Sequence, residues 1–133
     1  MNKPLGADIW TTSKTLKKIS DYAKFRRFRR GEQIFTEDSA GECLYVLVSG
    51  RVKIYSTVGT RTKTFALLDA GDFFGEMAFL DRGRRSAEAE AKTDCELYVL
   101  SRREFNAHVY DDAVLGARVF ARIARAISLH LRQ

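Results

Sequence analysis

The sequence lacks the features that mark several large classes of protein. Its 133 residues include one proline, two cysteines and two histidines. No apolar run approaches the roughly 20 residues that span a bilayer, and residues 1–8 contain no apolar signal segment. We therefore expect a cytoplasmic protein without a transmembrane segment. Cys43 and Cys95 fall in predicted strands, where two reduced thiols are favoured over a disulfide or a redox pair.

The residues of metal-dependent catalysis are also scarce. His108 and His130 are far apart in the sequence, and no group of histidines and acids has the spacing of metal ligands. A metal-dependent enzyme built on a small β fold would need such a group. We therefore predict no metal site, no catalytic residues and no enzyme activity.

Basic charge is concentrated near the N-terminus. Residues 1–30 contain nine lysines and arginines and two aspartates, whereas residues 31–133 contain fourteen basic and fifteen acidic groups. The net charge of +6 thus belongs to the first 30 residues, which argues against a nucleic-acid surface covering the whole domain. In the segment KFRRFRR (residues 24–30), we favour a domain edge whose phenylalanines pack on the core while the arginines stay in water. Contact with an acidic partner, an anionic membrane or nucleic acid is the alternative.

Short runs of strand-forming residues alternate with turn residues through the middle of the chain. The runs occupy positions 33–35, 43–48, 51–55, 61–68, 86–92 and 95–100, with glycine- and aspartate-rich turns between most of them. Many short strands with such turns every 8–12 residues predict a sandwich or a jelly roll.

Helical patterns flank the strands on both sides. Residues 8–24 have apolar residues at near-helical spacing with lysines between them, and Asp8 suits the N-cap. Ser101 and Glu104 form an S-x-x-E capping box that opens a short helix to about residue 109. The acidic pair at 111–112 precedes a second helix, which carries an apolar stripe to about residue 131.

These patterns predict one domain. Its parts are an N-terminal helix and basic segment over residues 1–30, a β jelly roll over 31–100, and C-terminal helices over 101–133. The predicted fold class is mainly β with flanking helices, specifically a double-stranded β-helix (jelly roll) with one N-terminal and two C-terminal helices.

Residues 70–91, AGDFFGEMAFLDRGRRSAEAEA, carry the strongest functional pattern. Gly75 allows close approach of the backbone, and Glu76 stands at the start of an apolar run that suits one helical turn. Free N–H groups at a helix start can receive an anion. Nine residues later, Arg85 offers a planar set of donors that suits phosphate. The segment therefore indicates a site for a sugar phosphate.

The order of these parts resembles the cyclic-nucleotide-binding domain, the family of the catabolite activator protein and of the regulatory subunits of cAMP-dependent protein kinase. The resemblance covers residues 22–131 and rests on the motif FGEMAFLDRGRRSA at 74–87. It implies that Glu76 accepts a hydrogen bond from the ribose 2′-hydroxyl and that Arg85 pairs with the cyclic phosphate. It also implies ligand-binding positions at Phe74, Gly75, Met77, Ala78, Ser86 and Ala87, the serine being more typical of a cAMP site.

Other positions depart from the family pattern or concern the base. Arg84 replaces a proline that is common in kinase-type sites. Glu88 replaces an apolar, aromatic or threonine side chain, and it could either oppose the anion or point to solvent. On the last helix, Ile127 is expected to contact the base. His130 could hydrogen-bond or stack on the base, or it could face solvent.

The resemblance implies a regulatory module that binds a cyclic nucleotide, either cAMP or cGMP, with no other cofactor. The serine favours cAMP. The nucleotide is expected to reposition the C-terminal helix, and that helix could form a homodimer. Because the sequence stops at Gln133, we expect no DNA-binding domain. The alternative is a ligand-free scaffold of the same fold that acts in dimerisation or protein interaction.

Overall fold

A computed structural model describes residues 13–76, 85 and 87–109 of the chain. Toward the C-terminus it also describes residues 112, 113, 116, 117, 119–121, 123, 124 and 128. Eight strands follow a first helix, α1 (Ser13–Tyr22). They are β1 (Lys24–Phe28), β2 (Gln33–Phe35), β3 (Cys43–Ser49), β4 (Val52–Val58), β5 (Arg61–Leu68), β6 (Phe73–Phe74), β7 (Glu88–Ala91) and β8 (Cys95–Ser101).

The strands form two antiparallel four-stranded sheets. The first sheet has the order β1-β8-β3-β6, and the second has the order β2-β7-β4-β5. Strands that follow one another in the chain often lie in different sheets, as expected for a roll in which the chain crosses between two layers. The predicted fold class, mainly β with flanking helices, is confirmed.

Two apolar clusters explain why both faces of the first sheet are covered. Strand residues alternate in direction, so that one side of β3 and β8 faces the second sheet and the other side faces the helices. The cluster inside the roll contains Leu47, Val52, Ile54, Leu68, Phe74, Ala87, Ala89, Ala91, Cys95 and Leu97. The cluster beneath the helices contains Ile19, Leu44, Val46, Phe73, Leu100, Phe105, Val119 and Ile123. The neighbours Phe73 and Phe74 therefore belong to different clusters.

The strands begin earlier than the sequence pattern predicted. Residues 24–28 form β1, which pairs along its length with β8 from Lys24↔Val99 to Phe28↔Cys95. The prediction that the strands begin at residue 31 is therefore wrong, because it omits β1. Phe28 packs against the cluster inside the roll, as we expected of it. Phe25 does not, because it is 45% exposed and meets Tyr98 edge to face at the sheet margin.

The described helices lie where the sequence predicted helices, with differences in extent and geometry. The N-terminal helix ends at Tyr22 rather than at residue 24, because Lys24 already pairs in β1; its predicted start and the cap at Asp8 lie outside the described residues. Ser101 caps a short helix, α2 (Arg102–Glu104), and its side chain accepts a hydrogen bond from the Glu104 amide. The cap at Ser101 is thus confirmed, but the chain continues as a π-helical turn, Phe105–Val109, rather than as a longer α-helix. Within the final predicted helix, the described positions from 113 onward are helical, and the Gly116 amide donates to the carbonyl of Asp112. Among the described residues, no helix is long and apolar enough to cross a membrane.

Candidate functional site

Two charged side chains are buried within the described part of the chain, and both belong to the motif at 74–87. Glu76 is 0% exposed and Arg85 is 3% exposed. Burying an ionised group is unfavourable unless other groups compensate it. A buried arginine and a buried glutamate from one segment therefore need a structural or functional reason, and surface ion pairing does not supply it.

Backbone carbonyls hold both terminal nitrogens of Arg85. Nη1 donates to the carbonyl of Gly75 at 2.5 Å, and Nη2 donates to the carbonyl of Cys43 at 2.7 Å. The main chain of Arg85 is also paired, because its amide donates to the Ser39 carbonyl and its carbonyl accepts from the Asp38 amide. The guanidinium is therefore attached to β3 and to the turn after β6, and the main chain of Arg85 is attached to the segment that follows β2.

Gly75 is the residue that permits this arrangement. Its φ of +78° lies in the left-handed region, which glycine adopts without steric penalty. The sequence indicated that something approaches the backbone here, and the structure shows that the Arg85 side chain does so. A Cβ at position 75 would lie 2.6 Å from Arg85 Nη1 and 3.0 Å from Tyr45 Cδ2.

Aromatic rings surround the guanidinium. The Arg85 Cζ lies 4.4 Å from the ring centroid of Phe35 and 5.4 Å from that of Tyr45, distances at which a cation is attracted to the ring face. The rings also contact one another and Phe74, with Tyr45 stacked on Phe74 at 5.1 Å. We call Phe35, Tyr45 and Phe74 the aromatic collar. Sequence reasoning missed Phe35 and Tyr45, because they lie 40 or more positions before Arg85 and nothing local links them to it.

Burial and neighbouring charges act on Arg85 in opposite directions. Burial lowers the pKa of its guanidinium below the ordinary range for arginine, whereas nearby Tyr45, Cys43 and Glu76 oppose this change. Arginine remains protonated in proteins, so a cation persists in this partly dry surrounding. Conversely, burial raises the pKa of Tyr45 above 10.0, and Arg85 opposes that change. The site therefore combines a fixed positive charge with neutral aromatic and thiol neighbours.

The remaining predicted positions divide into those the structure describes and those it does not. Phe74 lies on β6, and both Phe74 and Ala87 are buried in the cluster inside the roll. Met77, Ala78, Ser86, Ile127 and His130 lie outside the described residues.

Glu88 faces away from the interior. On β7, Ala89 and Ala91 are buried while Glu88 and Glu90 point to the opposite face, and Glu88 accepts a hydrogen bond from Gln33 at 3.3 Å. Of the two alternatives for Glu88, the structure favours the one in which its carboxylate does not oppose an anion beside Arg85.

Comparison with known proteins decides the family. The model of the cyclic nucleotide-binding domain matches residues 25–110. The chain belongs to this family. The match begins within β1 and ends just after the π-helical turn, so it includes all of the roll except Lys24. The resemblance inferred from the motif at 74–87 is confirmed.

Individual relatives place the domain in proteins of different kinds. A cyclic AMP receptor protein of Thermus thermophilus is 36% identical over 107 residues, which is 80% of this chain and 50% of the receptor. A hyperpolarization-activated cyclic nucleotide-gated channel 4 of Oryctolagus cuniculus is 35% identical over 101 residues, or 76% of this chain and 8% of the channel. The crystal structure of the Thermus thermophilus catabolite activator protein superposes with a TM-score of 0.77 at 31% identity, covering 92% of this chain and 58% of that one.

The lengths of these matches limit which properties of the relatives apply to this chain. The chain spans half the length of the Thermus receptor and a small fraction of the channel. The relatives are named as a receptor, a channel and an activator, and they share the binding domain with this chain. What the remainder of each relative does is a property of that relative.

Proposed function

We propose that this domain binds cAMP at the site formed by Arg85 and Glu76, and that binding repositions the C-terminal helix. The observation that carries the proposal is the burial of both side chains, at 3% and 0% exposure, in a segment whose motif matches the family's ligand-binding loop. A curated relative that aligns with 80% of this chain is named a cyclic AMP receptor protein, which favours cAMP over cGMP.

The chemistry of the two side chains suits the two polar parts of the ligand. An ionised glutamate only accepts hydrogen bonds, so Glu76 is matched to the ribose 2′-hydroxyl. The cyclic phosphate carries one negative charge, which Arg85 can balance without a metal ion. A hydrogen bond with a charged partner contributes about 1.5–3 kcal/mol. Met77, Ala78 and Ser86 would complete the phosphate-binding loop, and Ile127 and His130 would contact the base.

The packing of β6 supplies a route from the loop to the helices. Phe74 belongs to the cluster that holds the aromatic collar, and its neighbour Phe73 belongs to the cluster with Phe105, Val119 and Ile123. A displacement of Gly75 and Arg85 on phosphate binding would therefore shift Phe73 against the helices. A ligand that binds better to one helix arrangement would increase the population of that arrangement.

Calorimetric titration of cAMP and cGMP into the purified domain tests the binding proposal. We expect saturable binding of cAMP, and a loss of roughly ten- to a hundredfold in affinity for Arg85→Ala. Arg27→Ala is the matched control, because Arg27 is exposed at the margin of the first sheet, where it pairs with Glu96 and lies over the ring of Phe25, away from the site. Unchanged affinity in a folded Arg85→Ala variant would refute the role of Arg85. Identical amide exchange over residues 113–131 with and without cAMP would refute helix repositioning.

The same titration, combined with the stability of Arg85→Ala, tests the alternative that the domain is a ligand-free scaffold. One observation favours that alternative: both Nη atoms of Arg85 already donate to backbone carbonyls, so the residue has a structural role without a ligand. Absence of binding by both nucleotides, together with a clear loss of stability in Arg85→Ala, would establish the scaffold instead.

A further inference from the structure

One nitrogen of the Arg85 guanidinium, Nε, makes no hydrogen bond to the rest of the described structure. Nη1 and Nη2 each donate to a carbonyl, whereas Nε is buried and has no hydrogen-bond partner among the described residues. Buried donors in folded proteins are almost always paired, and an exception calls for an explanation. A buried and unpaired N–H that belongs to a cationic group is suited to donate to an anionic oxygen.

The aromatic collar determines how this donor is oriented. Phe35 comes from β2 in the second sheet, while Tyr45 and Phe74 come from β3 and β6 in the first. Their rings contact one another at centroid separations of 5.1–6.2 Å. The collar therefore joins the two sheets, and the guanidinium lies against rings from both of them.

The two carbonyl contacts alone do not explain this orientation. They hold the ends of the guanidinium, but an arginine side chain has several rotatable bonds and loses considerable freedom when it is ordered. Ring faces at 4.4 and 5.4 Å restrict the plane of the group as well as its position. Ordering the group before the ligand arrives increases affinity, because less freedom is lost on binding.

We infer that Phe35 and Tyr45 are positioning residues, which hold the Arg85 guanidinium so that its Nε–H stays unpaired and can donate to an anionic ligand oxygen. This inference rests on the proposed function for the identity of that oxygen, a cyclic phosphate. The orientation of Arg85 itself is independent of the ligand. We expect the ring faces to outweigh the interaction of the Tyr45 hydroxyl with the Arg85 side chain, so that phenylalanine at 45 or tyrosine at 35 preserves the effect.

The first arm of the test needs no ligand. In proton–nitrogen NMR spectra, the Arg85 Nε–H signal is assigned as the one that disappears in Arg85→Lys. We expect ring currents to displace it in the wild type, in Tyr45→Phe and in Phe35→Tyr, and we expect it to return toward the ordinary arginine position in Tyr45→Leu and Phe35→Leu. A signal that is the same in all five folded proteins would overturn the inference.

The second arm measures cAMP affinity in the same proteins. Cation–π contacts of this kind correspond to a loss of about two- to thirtyfold for Tyr45→Leu or Phe35→Leu, with less than about threefold change for Tyr45→Phe and Phe35→Tyr. Phe65→Leu is the matched control, because Phe65 packs partly buried against the same cluster and lies 5.6 Å from the Lys63 Nζ, outside the site. Denaturant unfolding confirms that each variant is folded.

The outcomes separate this inference from the proposed function. Weakened affinity in the two leucine variants, with rescue by the aromatic variants and little effect of Phe65→Leu, supports it. Equal weakening by Phe65→Leu, or full affinity in the leucine variants, overturns it. If the wild type binds neither cAMP nor cGMP, the proposed function fails, and the NMR arm alone then decides whether the collar positions Arg85.

Discussion

Gly75 and Arg85 are so close that any side chain at position 75 would occupy the place of the guanidinium, since an added Cβ would lie 2.6 Å from Nη1. The backbone at Gly75 also has a φ of +78°, which residues with a Cβ adopt at a penalty of about 1–2 kcal/mol. We therefore expect Gly75→Ala to combine backbone strain with displacement of Arg85, and to weaken cAMP binding at least tenfold. Unfolding by urea and calorimetric titration measure the two effects.

Gly59→Ala is the matched control for that substitution. Gly59 has a φ of +64°, and a Cβ there would meet nothing within 4 Å, so the alanine variant carries the backbone strain without the contact. We expect it to lose stability by about 1–2 kcal/mol and to keep its affinity for cAMP. Equal affinities of the two alanine variants would show that the contact with Arg85 is unimportant.

Ile19 joins α1 to the C-terminal helices through the cluster beneath them. It is 0% exposed and shares that cluster with Phe105, Val119 and Ile123. Replacing a fully buried isoleucine by alanine removes apolar contacts and leaves a cavity, so Ile19→Ala should lower the free energy of unfolding by about 2–5 kcal/mol. Val58→Ala, at a position that is 78% exposed, should change it by less than about 0.5 kcal/mol. A small effect at position 19 would contradict the packing of α1.

Ser101 stabilises the transition from β8 to α2. Its hydroxyl accepts a hydrogen bond from the Glu104 amide at 3.1 Å, which satisfies one of the unpaired donors at the start of the helix. Ser101→Ala should therefore lower the free energy of unfolding by about 1 kcal/mol, whereas Ser101→Asp should retain most of the capping effect. Indistinguishable alanine and aspartate variants in urea unfolding would argue against the cap.

Cys43 should make the domain less stable in alkaline solution. Burial raises the pKa of its thiol above the ordinary 9.0, and Arg85 only partly offsets this change. Above about pH 9 the unfolded chain therefore releases the thiol proton while the folded chain keeps it. Stability then falls as pH rises, by at most about 1.4 kcal/mol per pH unit for this one proton.

The comparison with Cys43→Ala isolates this thiol from other groups that titrate at high pH. Urea unfolding of both proteins between pH 7 and pH 10.5 should show a steeper loss of stability in the wild type, and parallel behaviour below pH 8. Parallel curves over the whole range would contradict the raised pKa.

The sequence predicted correctly those features that depend on particular residue types at short, fixed spacing. Glu76 and Arg85 stood out because acid, glycine and arginine occur at motif spacing, and both proved to be buried. The S-x-x-E pattern at Ser101 located a cap for the same reason, since the contact is made within four residues. Strand β1 was not predicted, because three of its five residues are basic, a composition that favours a solvated segment over a strand. Its pairing with β8 joins residues some 70 positions apart.

The chain alone therefore determined the family, the roll with its flanking helices and the charged pair on which the proposed site rests, because each depends on local composition or on a motif read in order. Only the tertiary structure decided what surrounds that pair. Arg85 is reached by Phe35, Tyr45 and the carbonyl of Cys43 because the two sheets close over one another. The tertiary structure also places Glu88 on the outer face of β7, since alternate residues of a strand point to opposite faces. Contacts between residues distant in sequence are set by the register of the strands, and the local pattern of residues does not specify that register.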